Sequence, residues 1–106
     1  MIDSNSEIGT ETLLAGAATI AEAEVIALKF RALLQAGGPR VSLDLRALSQ
    51  VDVSFFQLIL ALGLSLSAAG KSLHIGALPG GHVVLETAAL LGIDLGRLFS
   101  PMAENR

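Results

Sequence analysis

The sequence predicts one α/β domain, built on a mixed, mostly parallel sheet of about four strands with three to four helices. Three observations carry this reading. Short apolar runs alternate with longer stretches in which apolar residues recur at helical spacing. The helical stretches stop at glycine or Gly-Pro, and another apolar run follows. The chain is 106 residues long and 52% hydrophobic, which suits a single well-filled core. Strands separated by helices require crossover connections, and crossovers make neighbouring strands parallel.

Each element follows from local sequence. Glu11 to Ala15 is a short strand candidate, and Ala17 to Ile20 is a second. Ala21 to Ala36 is a helix, because Ile26, Phe30, Leu33 and Leu34 share a stripe while Glu22, Lys29, Arg31 and Gln35 lie mostly elsewhere. Gly37-Gly38-Pro39 ends it. Arg40 to Leu45 alternates as a strand, and a polar turn follows it. Ser54 to Ala69 is the second helix, closed by Gly70. Ser72 to Leu78 is the next strand, and Pro79-Gly80-Gly81 turns into a third helix, His82 to Leu91, closed by Gly92. Leu95 to Phe99 forms a short final helix. Residues 1–10 and 103–106 are expected to be flexible ends around a domain of residues 11–102.

Composition excludes several functions. The net charge is −3, with no basic stripe to replace counterions on phosphates, so nucleic acid is not a partner. No cysteine is present, which removes disulfides and thiol chemistry. His74 and His82 stand apart, with no second histidine or carboxylate at metal-ligand spacing, so no metal or other cofactor is expected. Met1 to Thr10 is polar and acidic and lacks the basic and apolar regions of a signal peptide, which leads to an expected cytoplasmic location. Val53 to Gly70 holds no charge and approaches the length of a membrane span. Ser54, Gln57, Ser65, Ser67 and two glycines argue against spanning, and its most apolar part, Leu58 to Leu64, is too short to cross.

Enzyme motifs fail on context. Gly70-Lys71-Ser72 ends like a phosphate-binding loop, but Ser65 stands where the upstream glycine belongs. The order is also reversed, helix before strand. Asp44 and Asp52 form an acid–base couple only if a cleft brings them together, and the sequence shows none. Pro79-Gly80-Gly81 reads as a turn rather than an anion site.

The most informative segment runs from Val41 to Leu58. On a helical wheel of the second helix, Phe55, Leu58, Ile59, Leu62, Leu66 and Ala69 form the core face. Phe56, Leu60, Gly63, Leu64 and Ser67 fall on another side, which is either covered by a neighbouring helix or offered to a partner. Ser54-Phe55-Phe56-Gln57 fits a capping box, with serine as cap and Gln57 reaching back. The same geometry would accommodate a phosphate on Ser54 against free N–H groups and the helix dipole. About two negative charges would then stand beside Asp52 and an exposed Phe56, and would repel a partner docked there.

The order of strand, Leu43-Asp44-Leu45, turn, Asp52-Val53-Ser54 and apolar helix resembles the STAS domain, the family joining sulphate transporters to anti-sigma factor antagonists. Thr19-Ile20-Ala21-Glu22-Ala23 is similar to the family's entry into its first helix, and Leu85 to Ile93 to its third helix and following turn. The resemblance covers about Glu11 to Met102. In antagonist members an Asp-Ser-Ser-Gly motif presents its second serine to a partner kinase. By position the resemblance implies Ser54 as phosphorylation site and Asp52 as the acidic residue of its loop. Val53 replaces the first serine, Phe55 the glycine and Phe56 the usual leucine. The Asp-x-Ser-Phe-x-Gln form is similar to stand-alone members associated with chemotaxis-type signalling.

The resemblance implies a non-catalytic switch. Unphosphorylated, the chain would bind an anti-sigma factor or a histidine-kinase-like serine kinase through Phe55, Phe56, Leu60 and Leu64, with Asp52 and Gln57 supporting the Ser54 loop. Phosphorylated, it would release that partner, and a serine phosphatase would reset it. Homodimer formation stays open. The alternative is a constitutive STAS accessory subunit of a membrane transporter complex, gripping an ATPase subunit without a phosphorylation cycle.

Overall fold

Alternation decides which way the central strand faces. In β2 (Arg40–Val51), Val41, Leu43 and Leu45 are buried while Ser42, Asp44 and Arg46 are half-buried or exposed. A strand written this way has one dry face and one wet face. The computed structural model describes residues 10–36, 38–96 and 98. Among them β1 (Thr10–Ala18), β2 and β3 (Ser72–Ile75) form a sheet of order β1-β2-β3, both pairs parallel.

A 3-10 turn, Ile20–Glu22, leads into α1 (Ala23–Ala36), which connects β1 to β2. Helix α2 (Val53–Ala68) connects β2 to β3, and α3 (Val83–Leu91) follows β3. Helices α1 and α2 pack against each other and therefore share one face of the sheet, while α3 packs on β2. Ile26 and Phe30 of α1, Phe55, Ile59 and Leu66 of α2, and Val84 and Ala88 of α3 join the inward residues of β1 and β2 in one core cluster. The other face carries Glu11, Leu13, Ser42, Asp44 and His74, matched across the strands as Glu11–Ser42–His74 and Leu13–Asp44.

The α/β class stands, and the strands differ in extent from those predicted. Glu11–Ala15 and Ala17–Ile20 are one strand, Thr10–Ala18, and Ile20 begins the 3-10 turn instead. The register of β1 against β2 shifts between Leu13 and Ala15 and between Gly16 and Ala17, where Gly16 takes φ 79°. Such irregularities let a strand bend while staying paired. The strand predicted to end at Leu45 runs on to Val51, so residues expected to form a polar turn are paired sheet. Beyond Leu45 the inward residues are Leu48 and Val51, a step of three rather than two, because the register shifts insert extra residues in β2. The third strand stops at Ile75 rather than Leu78.

The helix ends follow their chemistry. Gly70 and Gly92 sit past α2 and α3 with φ 77° and 75°, where a side chain would be strained. His82 caps α3, its Nδ1 accepting the Val84 N–H at 3.1 Å. Its Nε2 lies 3.1 Å from the Arg46 carbonyl, so the proton belongs on Nε2. Phe99 and the proposed flexible ends, apart from Thr10, lie outside the described residues. No helix among the described residues is long and apolar enough to cross a membrane.

Candidate functional site

The site is the junction where β2 becomes α2. Val51 is the last inward residue of the strand, and Asp52 breaks the pairing with extended backbone, φ −140° and ψ −170°. Asp52 is the N-cap: its Oδ1 accepts the Ser54 N–H at 3.0 Å. Helix α2 therefore begins at Val53, and Ser54 lies inside its first turn rather than capping it. Gln57 is exposed and too far along to complete a capping box with Asp52. Aspartate and serine both make good caps, and the carboxylate prevails here because it receives several donors at once.

Those donors define the site. The Ser54 hydroxyl donates to Asp52 Oδ1 at 2.5 Å. Asp52 Oδ2 accepts the Ile20 N–H at 2.9 Å. The hydrogen bond from the Ser54 hydroxyl, then that from the Ile20 N–H, holds the Asp52 carboxyl below its ordinary range. Beside it Thr19 caps the 3-10 turn, with Glu22 as the reciprocal acid of its capping box. Glu22 Oε1 accepts the Thr19 N–H at 2.8 Å and the Thr19 hydroxyl at 2.7 Å, which lowers the Glu22 pKa in the same way. The Asp52 carboxylate thus fastens the start of α2 to the turn that enters α1, and Glu22 braces that turn from within.

Placement corrects part of the expected contact surface. Phe55 is fully buried and Phe56 is 3% exposed, with their rings edge-to-face at 5.2 Å. The expectation of an exposed Phe56 fails, since both rings belong to the core cluster. Ser54 is itself only 8% exposed. Leu60 and Leu64 are 38% and 54% exposed, and Val53, at 49%, completes their line at helical spacing. The sequence reading places neither Val53 nor the exposed Ile20 on the contact surface. The signal for Val53 was available, because positions 53, 60 and 64 lie on one side of a helix.

The remaining candidates separate. Asp44 is bound within β2 by Arg46, whose Nε and Nη2 donate at 3.0 and 2.8 Å, and it does not pair with Asp52. No group of three or more His, Asp or Glu side chains among the described residues could hold a metal ion. A groove of about 200 Å³ between α1 and α2 is lined chiefly by apolar side chains, among them Phe30, Leu34, Leu58 and Leu62. It holds no pair of groups for acid–base work.

A family model described as Mlab, STAS domain, matches residues 10–99. No curated protein matches the chain.

Proposed function

The chain belongs to the STAS domain family, and we propose that it docks on a kinase-type regulator through the outer side of α2 and is switched by phosphorylation of Ser54. A STAS domain is a regulatory binding module without catalysis of its own. The observation that carries the reading is the closeness of an exposed apolar line, Val53, Leu60 and Leu64, to a serine held by Asp52. Ser54 adjoins Val53, so a charge placed on its hydroxyl alters one end of that line. Phosphate also removes the proton that Ser54 donates to Asp52 and sets about two negative charges beside a carboxylate. The start of α2 must then rearrange, so release of the partner involves a local opening and not only a change in surface charge. The partner is an anti-sigma factor or a histidine-kinase-like serine kinase, with a serine phosphatase as the resetting enzyme.

The burial of Ser54 favours a second reading. A hydroxyl on a residue 8% exposed, already bonded to Asp52, is poorly offered to a kinase. On that reading Ser54 is structural, and the same α2 face docks permanently as an accessory subunit of a transporter complex. Intact mass of the protein from its own host decides between them. One added phosphate in the wild type, absent from Ser54→Ala, supports the switch. No phosphate under any growth condition supports the constitutive subunit.

A further inference from the structure

The outer side of α1 presents four exposed side chains in line: Ala21, Val25, Leu28 and Ala32. Val25 and Leu28 are 58% and 57% exposed. Ala21 belongs to the turn that enters the helix, and steps of four, three and four residues hold the others on its stripe, about 16 Å long. The other sides of α1 are occupied. Ile26 and Phe30 fill the core, and Ala27, Leu34 and the exposed Arg31 line the groove against α2. A single exposed leucine is ordinary, whereas two large apolar side chains aligned on a helix already packed elsewhere give a partner an apolar stripe to cover.

We propose that this stripe is where two copies of the chain associate, α1 against α1, antiparallel about a two-fold axis. The stripe reads small, large, large, small in both directions. With the axis level with the midpoint between Ile26 and Ala27, Val25 meets Leu28 of the second copy and Ala21 meets Ala32. That is the self-complementarity a two-fold interface requires. The charges divide to match. Glu22 and Glu24 lie at the start of the helical segment, and Lys29 and Arg31 lie further along. Antiparallel packing sets Glu24 beside Arg31 of the second copy on one flank, and Glu22 beside Lys29 on the other. Parallel packing would set like charges level. Glu22 accepts hydrogen bonds from Thr19 and keeps its negative charge.

The exposed line on α2 has no such code, since no charged residue occurs from Val53 to Ala68. Self-association is therefore assigned to α1, and it leaves the α2 face free for a different partner. A single helix pair is a small interface, so the dimer is weak and exchanges quickly.

The test is sedimentation of the full chain from ~10 to ~300 µM at about 50 mM salt, where flank charges are little screened. The wild type is expected to pass from monomer to dimer over that range. Val25→Glu is expected to stay monomeric, with an unchanged circular dichroism spectrum because the position is exposed. Glu24→Arg and Arg31→Glu should each weaken the dimer at least ~10-fold. An equimolar mixture of those two variants should recover it, because every ion pair is restored across the mixed dimer. A wild type monomeric throughout, a dimer indifferent to Val25→Glu, or a mixture that fails to recover overturns the proposal.

Discussion

Asp52 Oδ2 accepts the backbone N–H of Ile20 at 2.9 Å, joining two helix starts that are 32 residues apart in sequence. The same carboxylate receives the N–H and the hydroxyl of Ser54 through its other oxygen. One side chain thus caps α2 and ties down the turn that enters α1.

That dual role predicts that Asp52→Asn is nearly as damaging as Asp52→Ala. Both carboxylate oxygens act as acceptors, and an amide turns one of them into a donor facing a donor. Each variant should lower Tm by roughly 5 °C, the scale of losing a good cap. The pH dependence follows from the lowered pKa. A carboxyl whose folded pKa lies below its unfolded value stabilises the fold above the unfolded value. That stability is lost as pH falls through the folded value. Thermal melts should therefore show part of the wild-type acid sensitivity missing from Asp52→Asn.

Phe56 and Leu60 are four residues apart on α2 and differ in kind. Phe56 is 3% exposed, so Phe56→Ala should destabilise by about 3–5 kcal/mol, enough to threaten folding altogether. Leu60→Ala and Leu64→Ala, at exposed positions, should stay within about 0.5 kcal/mol of wild type in denaturant melts. If Leu60→Asp loses a regulator that wild type retains, with its melt unchanged, the α2 face is the docking surface. Loss of binding in Phe56→Ala would report only unfolding.

The contrast shows what was legible in the sequence. The crossover pattern and the stops at Gly70 and Gly92 could be read because they depend on local periodicity and backbone freedom. The length of β2 could not. Register shifts against β1 change the inward step from two to three after Leu45, so alternation disappears while pairing continues. The Asp52–Ser54 pair was visible as a cap, but which residue capped depended on Ile20, a donor brought in by the tertiary fold. Phe56 was misread because a helical wheel shows two apolar sides and not which of them the rest of the fold covers.

Asp44 offers a separate pH test. The Arg46 side chain, hydrogen-bonded to it, lowers its pKa to about 2. In Arg46→Ala the Asp44 carboxyl should titrate above about 2 but still below its ordinary value of 3.8, as followed by carboxyl NMR, because the N–H of residue 46 goes on donating to it. The sign is again acid-sensitive: the pair stabilises above the ordinary value and is lost as pH falls through about 2. Arg46 is 69% exposed, so solvent screens the pair and the melt should hardly move at neutral pH. A large change in stability would mean that the open sheet face is less solvated than its residues indicate.

Gly92 ends α3 at φ 75°, and nothing lies within 4 Å of where a β-carbon would stand. Space is available, and only the backbone conformation objects. Gly92→Ala should cost about 1–2 kcal/mol, and Gly92→Asn less, because asparagine tolerates the left-handed region better. Equal losses in the two variants would point to a steric cause instead.

Replacements at Ser54 separate a lost hydrogen bond from an added charge. Ser54→Ala removes one donor to Asp52 and leaves the N–H groups of Ser54 and Ile20 in place, so it should cost only about 1 kcal/mol. Ser54→Asp puts a second carboxylate against the first, and its cost should exceed that of Ser54→Ala at neutral pH. Asp52 must turn away, and the Ile20 N–H loses its acceptor, so hydrogen exchange at Ile20 should accelerate in Ser54→Asp and much less in Ser54→Ala. The excess cost should shrink as pH falls towards about 4, because repulsion raises the pKa of one carboxyl of the pair and its protonation removes the repulsion. Equal Ile20 exchange rates in the two variants would show that Asp52 does not relay a charge at Ser54 to the start of α1.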